Sequence, residues 1–205
     1  MISSLYQEDP TPMFSNCKNL KAFASRGSFT HFSGITHTNL QILVLVTGGM
    51  PSTILNGIFR CNFPQLKHLE IWIGSSNYGN DTRANDIAQY FPEDRENGLF
   101  PMLEYFGLRN CDNIQDYVSM IAKSFLMSRI RILDFSLCGI SHQSCLDLVH
   151  GLIGRKETLY LLELVDLHRN ALNDQQATEL MTLFGELQVV VDLTNRRRRY
   201  IAVGE

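Results

Sequence analysis

Four acidic side chains recur at one place in a repeating pattern, and they are the first candidates for chemistry. Glu70, Asp134, Asp166 and Asp192 each stand between two apolar residues. Each is followed two positions later by Trp72, Ser136, His168 or Thr194. Strands that neighbour one another lie about 4.8 Å apart. Carboxylates stacked at that spacing repel by ~1–3 kcal/mol per pair at surface-like dielectric. Arg109, His168, solvent or a basic partner must offset this. Trp72 and Tyr105 add large amphipathic side chains of the kind that anchor interfaces. The expected partner-binding face therefore comprises His68, Glu70, Trp72, Tyr105, Arg109, Asp134, Asp166, His168 and Asp192. It would suit a protein with a basic patch. The plainer alternative is a column of acids that is simply solvated.

Other groupings are weaker. Ser136 and His168 with a nearby Asp could form a hydrolase-like constellation, but on a flat strand surface with no evident oxyanion donors. Cys138, His142 and Cys145 lack the fourth ligand that tetrahedral zinc wants. Gly151 to Lys156 has the wrong glycine-to-lysine spacing for a phosphate loop and follows a helix, not a strand. The expectation is a non-catalytic chain with no cofactor and no metal. Two segments remain. The stretch after Trp72 is about ten residues longer than the equivalent segments, and long loops on rigid scaffolds often carry contacts. Asn77, Tyr78, Asp81 and Asp86 are its candidate contact residues, although their spacing is not that of a calcium loop. The Arg196–Arg199 run could serve a nucleic-acid-associated accessory protein, with a steep salt dependence. It could equally be a charged turn that protects an edge strand at Tyr200–Val203.

These residues need a scaffold, and one template supplies it. An apolar residue is followed three and five positions later by two more. The triplets are Leu40, Leu43 and Leu45; Leu66, Leu69 and Ile71; Leu103, Phe106 and Leu108; Ile130, Leu133 and Phe135; and Leu162, Val165 and Leu167. Gln188, Val191 and Leu193 make a weaker copy, and Leu20, Phe23 and Ser25 a degenerate one. The second and third members are two apart, so both leave a strand on the same face. The residue between them points the other way. The ninth position holds Gly48, Gly74, Cys111, Cys138, Asn170 and Arg196. A buried Cys or Asn there would bond backbone groups where the chain turns, and Gly would permit the turn without a side chain. Helices are expected over residues 114–127, from a Ser141 cap to about Ile153, and from an Asn173/Gln176 capping box through Leu183.

The pattern predicts an α/β leucine-rich-repeat solenoid, a horseshoe segment with parallel strands on the concave face and helices or irregular returns on the convex face. Its expected layout is a lead-in over residues 1–19, six to seven repeats over 20–195, and a capping strand over 196–205. The 205 residues are 44% hydrophobic and 19% charged with a net charge of −3, which fits a globular chain and gives no basic field for nucleic acid. No apolar run approaches the roughly 20 residues of a membrane span. The opening residues lack a signal-peptide pattern. The odd count of five cysteines suggests reduced thiols, so the expected location is cytoplasmic. Asn80-Asp81-Thr82 matches a glycosylation acceptor, read as chance in that compartment.

The segments LKHLEIWIGSSNYGNDTRANDIAQYF, MLEYFGLRNCDN and VVVDLTNRRRRYIAVGE resemble a family of uncharacterised bacterial leucine-rich-repeat proteins with ribonuclease-inhibitor-like repeats. The resemblance covers most of residues 16–205. Its more specific marks are Trp72-Ile73-Gly74, Tyr78-Gly79, Asp81, Asp86 and Tyr200 to Val203. Relatives of this kind are longer at the N-terminus, which implies a shortened front end here. The family brings no catalytic residue or cofactor.

Overall fold

The computed structural model describes residues 5–94 and 99–194. A short strand β1 (Tyr6–Gln7) and helix α1 (Thr11–Asn16) precede β2 (Ala22–Arg26) and β3 (Ser28–Phe29). Then come β4 (Ile42–Val46), α2 (Ser52–Phe59), β5 (His68–Gly74), α3 (Ala84–Ile87), β6 (Tyr105–Cys111) and α4 (Gln115–Lys123). The rest is β7 (Ile132–Asp134), α5 (His142–Ile153), β8 (Leu164–Asp166), α6 (Asp174–Glu186) and β9 (Val190–Asp192). The chain is α/β, and its main sheet is seven parallel strands in the order β2-β4-β5-β6-β7-β8-β9. β1 and β3 pair separately.

The apolar spacing dictates this register. Phe23, Leu43, Leu69, Phe106, Leu133, Val165 and Val191 align strand to strand as one inward column. Leu45, Ile71, Leu108, Phe135 and Leu167 form a second inward column and are fully buried. The outward column reads Ala24, Val44, Glu70, Gly107, Asp134, Asp166 and Asp192. The inward residues share one continuous core with buried side chains of α2, α4, α5 and α6. One face of the sheet is thus covered, and the outward column lies on the other, open face. The degenerate copy at Leu20 is a real strand, β2. Residues of the expected lead-in join the same core, since Phe14 is buried against Phe23, Phe32 and Phe63.

Turn chemistry follows the ninth position. Asn170 is buried; its carbonyl oxygen accepts from the amides of Cys138 and Ile140, and its amide group donates to Phe135 and Leu167 carbonyls. Cys138 Sγ accepts from the Cys111 amide, and its single S–H lies within reach of both the Leu108 and Ser136 carbonyls. Burial pushes the Cys138 and Cys111 thiols well up, and all five cysteines are free. These thiols are turn fasteners in the core.

Two helices match their caps. Ser141 accepts from the Ser144 amide at the start of α5, and Asn173 with Gln176 forms a full capping box on α6. The helix expected over 114–127 is broken. Ser124 adopts extended backbone, its hydroxyl bonds the Ile121 carbonyl, and a 3₁₀ turn over Phe125–Ser128 follows. Gly151, part of the rejected phosphate-loop match, sits in α5 against α4. A Cβ there would lie 2.8 Å from the Ala122 methyl, so glycine allows the two helices to approach. Among the described residues no helix is long and apolar enough to cross a membrane.

Candidate functional site

The two long strands β5 and β6 hold the densest polar cluster of the open face. Trp72 and Arg109 are aligned across them, as are His68 and Tyr105. The Arg109 guanidinium carbon lies 5.0 Å from the Trp72 ring centroid, a cation–π contact. The His68 and Tyr105 rings stack, 3.9 Å between centroids and 9° apart. Glu70 lies between these pairs. It accepts from Trp72 Nε1 at 2.6 Å and Arg109 Nη1 at 2.9 Å, and His68 Nε2 is 3.5 Å away. Burial pushes the Glu70 carboxyl up. The hydrogen bonds from His68 and Trp72 and the charge of Arg109 outweigh it and hold the group at about 2.

Arg109 also reaches strand β7. Its Nε donates to Ser136 Oγ at 2.8 Å and lies 3.3 Å from Asp134 Oδ2. The Tyr105 hydroxyl donates to the same Asp134 oxygen. Gly107 makes this possible. It occupies the outward column between Glu70 and Asp134, and a Cβ there would meet the Tyr105 ring and hydroxyl at 3.0–3.1 Å. Without a side chain at Gly107, the Tyr105 ring passes over that position and its hydroxyl reaches Asp134 on β7. Asp134 is consequently 2% exposed, which corrects the expectation of an open acid at that position. Burial pushes its carboxyl up against the lowering pull of Arg109. Burial and the Asp134 charge push the Tyr105 phenol up as well.

The Asp column has a local backbone role. Asp134 Oδ1 accepts from the Ser136 amide at 2.8 Å, Asp166 Oδ1 from the His168 amide at 2.9 Å, and Asp192 Oδ1 from the Thr194 amide at 2.8 Å. An Asp that bonds the amide two residues on competes with the strand ladder. The strands ending at these acids are three residues long, whereas β5 and β6 run for seven. His168 Nδ1 lies 2.7 Å from Asp166 Oδ1. Ser136 is buried and its hydroxyl is engaged by Arg109, so the described contacts do not join Ser136 to His168.

The loop after Trp72 is held by both neighbouring segments. The Ser52 amide at the start of α2 donates to Asp81 Oδ1 at 2.6 Å, supplying the cap that Pro51 cannot. Asp86 accepts from the Arg83 amide at the start of α3. The Thr82 carbonyl accepts from Asn113 Nδ2 and the Tyr117 hydroxyl, and Thr82 Oγ1 donates to the Met50 carbonyl. The Tyr78 backbone lies over Gly49, where a Cβ would fall 2.3 Å from the Tyr78 oxygen. Asn77 is exposed and Tyr78 half-buried. Two of the four candidate loop residues, Asp81 and Asp86, are thus occupied as helix caps. The Arg196–Arg199 run and the expected capping strand over 196–205 lie outside the described residues.

Sequence reading missed the part of Gly107. It missed as well the capping of α2 from a loop nearly thirty residues downstream. The only signal for the first was a glycine in a column otherwise filled by side chains.

No protein-family model and no curated protein matches the chain. Among solved structures it is similar to a crystal structure of a protein from Bacteroides fragilis, a structural-genomics target. The TM-score is 0.80 and the identity 22%, over 97% of this chain and 54% of that one. The chain spans about half the length of that protein. At this identity the likeness shows the fold.

Proposed function

We propose that this chain is a leucine-rich-repeat solenoid of the bacterial, ribonuclease-inhibitor-like kind, working as a non-catalytic scaffold that binds another protein on its concave strand face. The observation that carries this reading is the cross-strand cluster of His68, Glu70, Trp72, Tyr105 and Arg109 on the open sheet face. Large aromatic and Arg side chains are the usual anchors of protein interfaces. Here they are locked by stacking, cation–π contact and ion pairing, so little side-chain entropy would be lost on binding. Parallel strands in chain order, one apolar column per side and Asn or Cys at the turn support the repeat assignment. Asn77 and Tyr78 at one end of β5 extend the contact surface. The cytoplasm, where free thiols persist, is the proposed location. The chain needs no cofactor for this role.

The test compares capture of interacting proteins from a bacterial lysate by the wild type and by a Trp72→Ala, Tyr105→Phe variant whose cooperative thermal melt shows it folded at the capture temperature. A defined protein retained by the wild type and lost by the variant is expected. Identical captured sets from both would refute the proposed face.

A further inference from the structure

We infer that the open face takes one peptide segment with an apolar end over β4 and a Lys- or Arg-bearing end over β8 and β9. The inference rests on the protein-binding reading above and adds an order to it. The face changes character along the strands. On β2 and β4 it presents Ala22, Ala24, Ile42, Val44 and Val46, with Ile42 42% exposed and Arg26 the one charged residue of these two strands. At the centre, the Glu70 and Asp134 carboxylates share the Arg109 guanidinium, which offsets part of their charge within the chain. On β8 and β9 no Lys or Arg among the described residues pairs with the acids. Asp166 is served by His168 and a backbone amide, and among the described residues Asp192 is served by the Thr194 amide alone.

Acceptor atoms of Asp166, His168 and Asp192 lie within 4.8 Å of one another. By itself that trio would suit any cation. The apolar strand at the other end of the same face points to a peptide, because a lone metal ion would leave Ile42 and Val44 uncovered. Nucleic acid and anionic lipid would bring phosphate against two carboxylates that no Lys or Arg among the described residues pairs. A basic side chain on an apolar segment satisfies both ends. β4 and β8 are four strand intervals apart, or ~19 Å. The apolar and basic anchors should therefore be separated by about six residues if the segment is extended, or about thirteen if it is helical.

The test is selection of random peptides of about sixteen residues, long enough to span the face in either form, on the full chain. Enriched peptides should carry Leu, Ile, Val or Phe near one end and Lys or Arg near the other. A synthesised member should lose affinity about tenfold on the Asp166→Asn, Asp192→Asn variant, and similarly on Val44→Glu. Asparagine keeps the side-chain oxygen that accepts from the His168 and Thr194 amides, so the fold is retained, which a thermal melt checks. Peptides that respond to Trp72→Ala but lack a basic end, or that bind the double variant as tightly as the wild type, overturn the inference and leave the protein-binding reading standing. Failure to enrich any peptide, or peptides indifferent to every open-face substitution, overturns both. Saturable Mn2+ binding that the double variant abolishes, with no peptide responding to it, assigns the trio to a cation and overturns the inference as well.

Discussion

Glu70 and Asp134 occupy the same outward column as Asp166 and Asp192, yet the two pairs meet different fates. The central pair is desolvated and tied into a lattice of Arg109, Tyr105, Trp72 and His68. The rear pair keeps short local bonds and an open side. The difference does not come from the acids. It comes from Arg109, which follows Gly107 by two residues and can reach both neighbouring strands, and from Gly107 itself. The rear strands have His168 and Thr194 at the Arg109 position. One template position thus yields a rigid centre tied to one guanidinium and, among the described residues, an acidic flank with no Lys or Arg partner.

Removing Arg109 should break this contrast most severely. Arg109→Ala removes the one guanidinium that joins Glu70 on β5 to the buried Asp134 on β7, and loss of one partner of such a network costs about 3–5 kcal/mol. Urea denaturation at pH 7 reads it; a loss below ~1 kcal/mol would show the central acids to be as solvated as the rear ones. Glu70 gives a pH signature. Its carboxyl is held at about 2 against an ordinary 4.5, so its stabilisation is complete above pH ~4.5 and fades as pH falls toward about 2. The stability gap between wild type and Glu70→Gln should shrink by about 2–3 kcal/mol across that window. Asp134, whose carboxyl is raised, is common to both proteins and drops out of the gap to first order. A gap constant from pH 6 to pH 2.5 would contradict the Glu70 assignment.

Gly107→Val sharpens the comparison by making the centre resemble the rear. The new side chain would displace the Tyr105 ring and strip its hydroxyl bond from Asp134, a loss of about 1–3 kcal/mol. The loss should be less than additive with Tyr105→Phe, and full additivity would place the damage elsewhere. The smallest effect belongs to the rear. Asp192→Asn keeps the bond to the Thr194 amide and should change stability by no more than about 0.5 kcal/mol, measured by the same denaturation.

The sheet was legible because its signal is periodic. Leu43 and Leu45, Leu69 and Ile71, or Leu133 and Phe135 can only share a face at period two, and the strand order follows once each unit must bury that face on its neighbours. Caps at Ser141, Asn173 and Gln176 were legible for the same local reason. Helix α2 was not, because its N-terminal amide is satisfied by Asp81 from the following segment and no side chain beside it announces a cap. Ser124 was misread because a single hydroxyl-to-carbonyl bond, not the apolar spacing, ends α4. The site was legible as a set of residues but not as a network. Spacing placed Glu70, Arg109 and Asp134 on neighbouring strands, while the burial of Asp134 depends on where a tyrosine ring comes to rest over a glycine. The loop shows the converse. Asp81 and Asp86 looked available by type, and backbone amides at two helix starts use them.

Trp72 is the sole tryptophan of the chain, so its fluorescence reports the centre of the proposed binding face. Titration with a tryptophan-free partner fragment, or a selected tryptophan-free peptide, tests the central claim most directly. A saturable change in Trp72 emission, with a midpoint equal to the dissociation constant measured independently by calorimetry, is the predicted result. Calorimetric binding with Trp72 emission unchanged throughout would place the partner elsewhere and contradict the account.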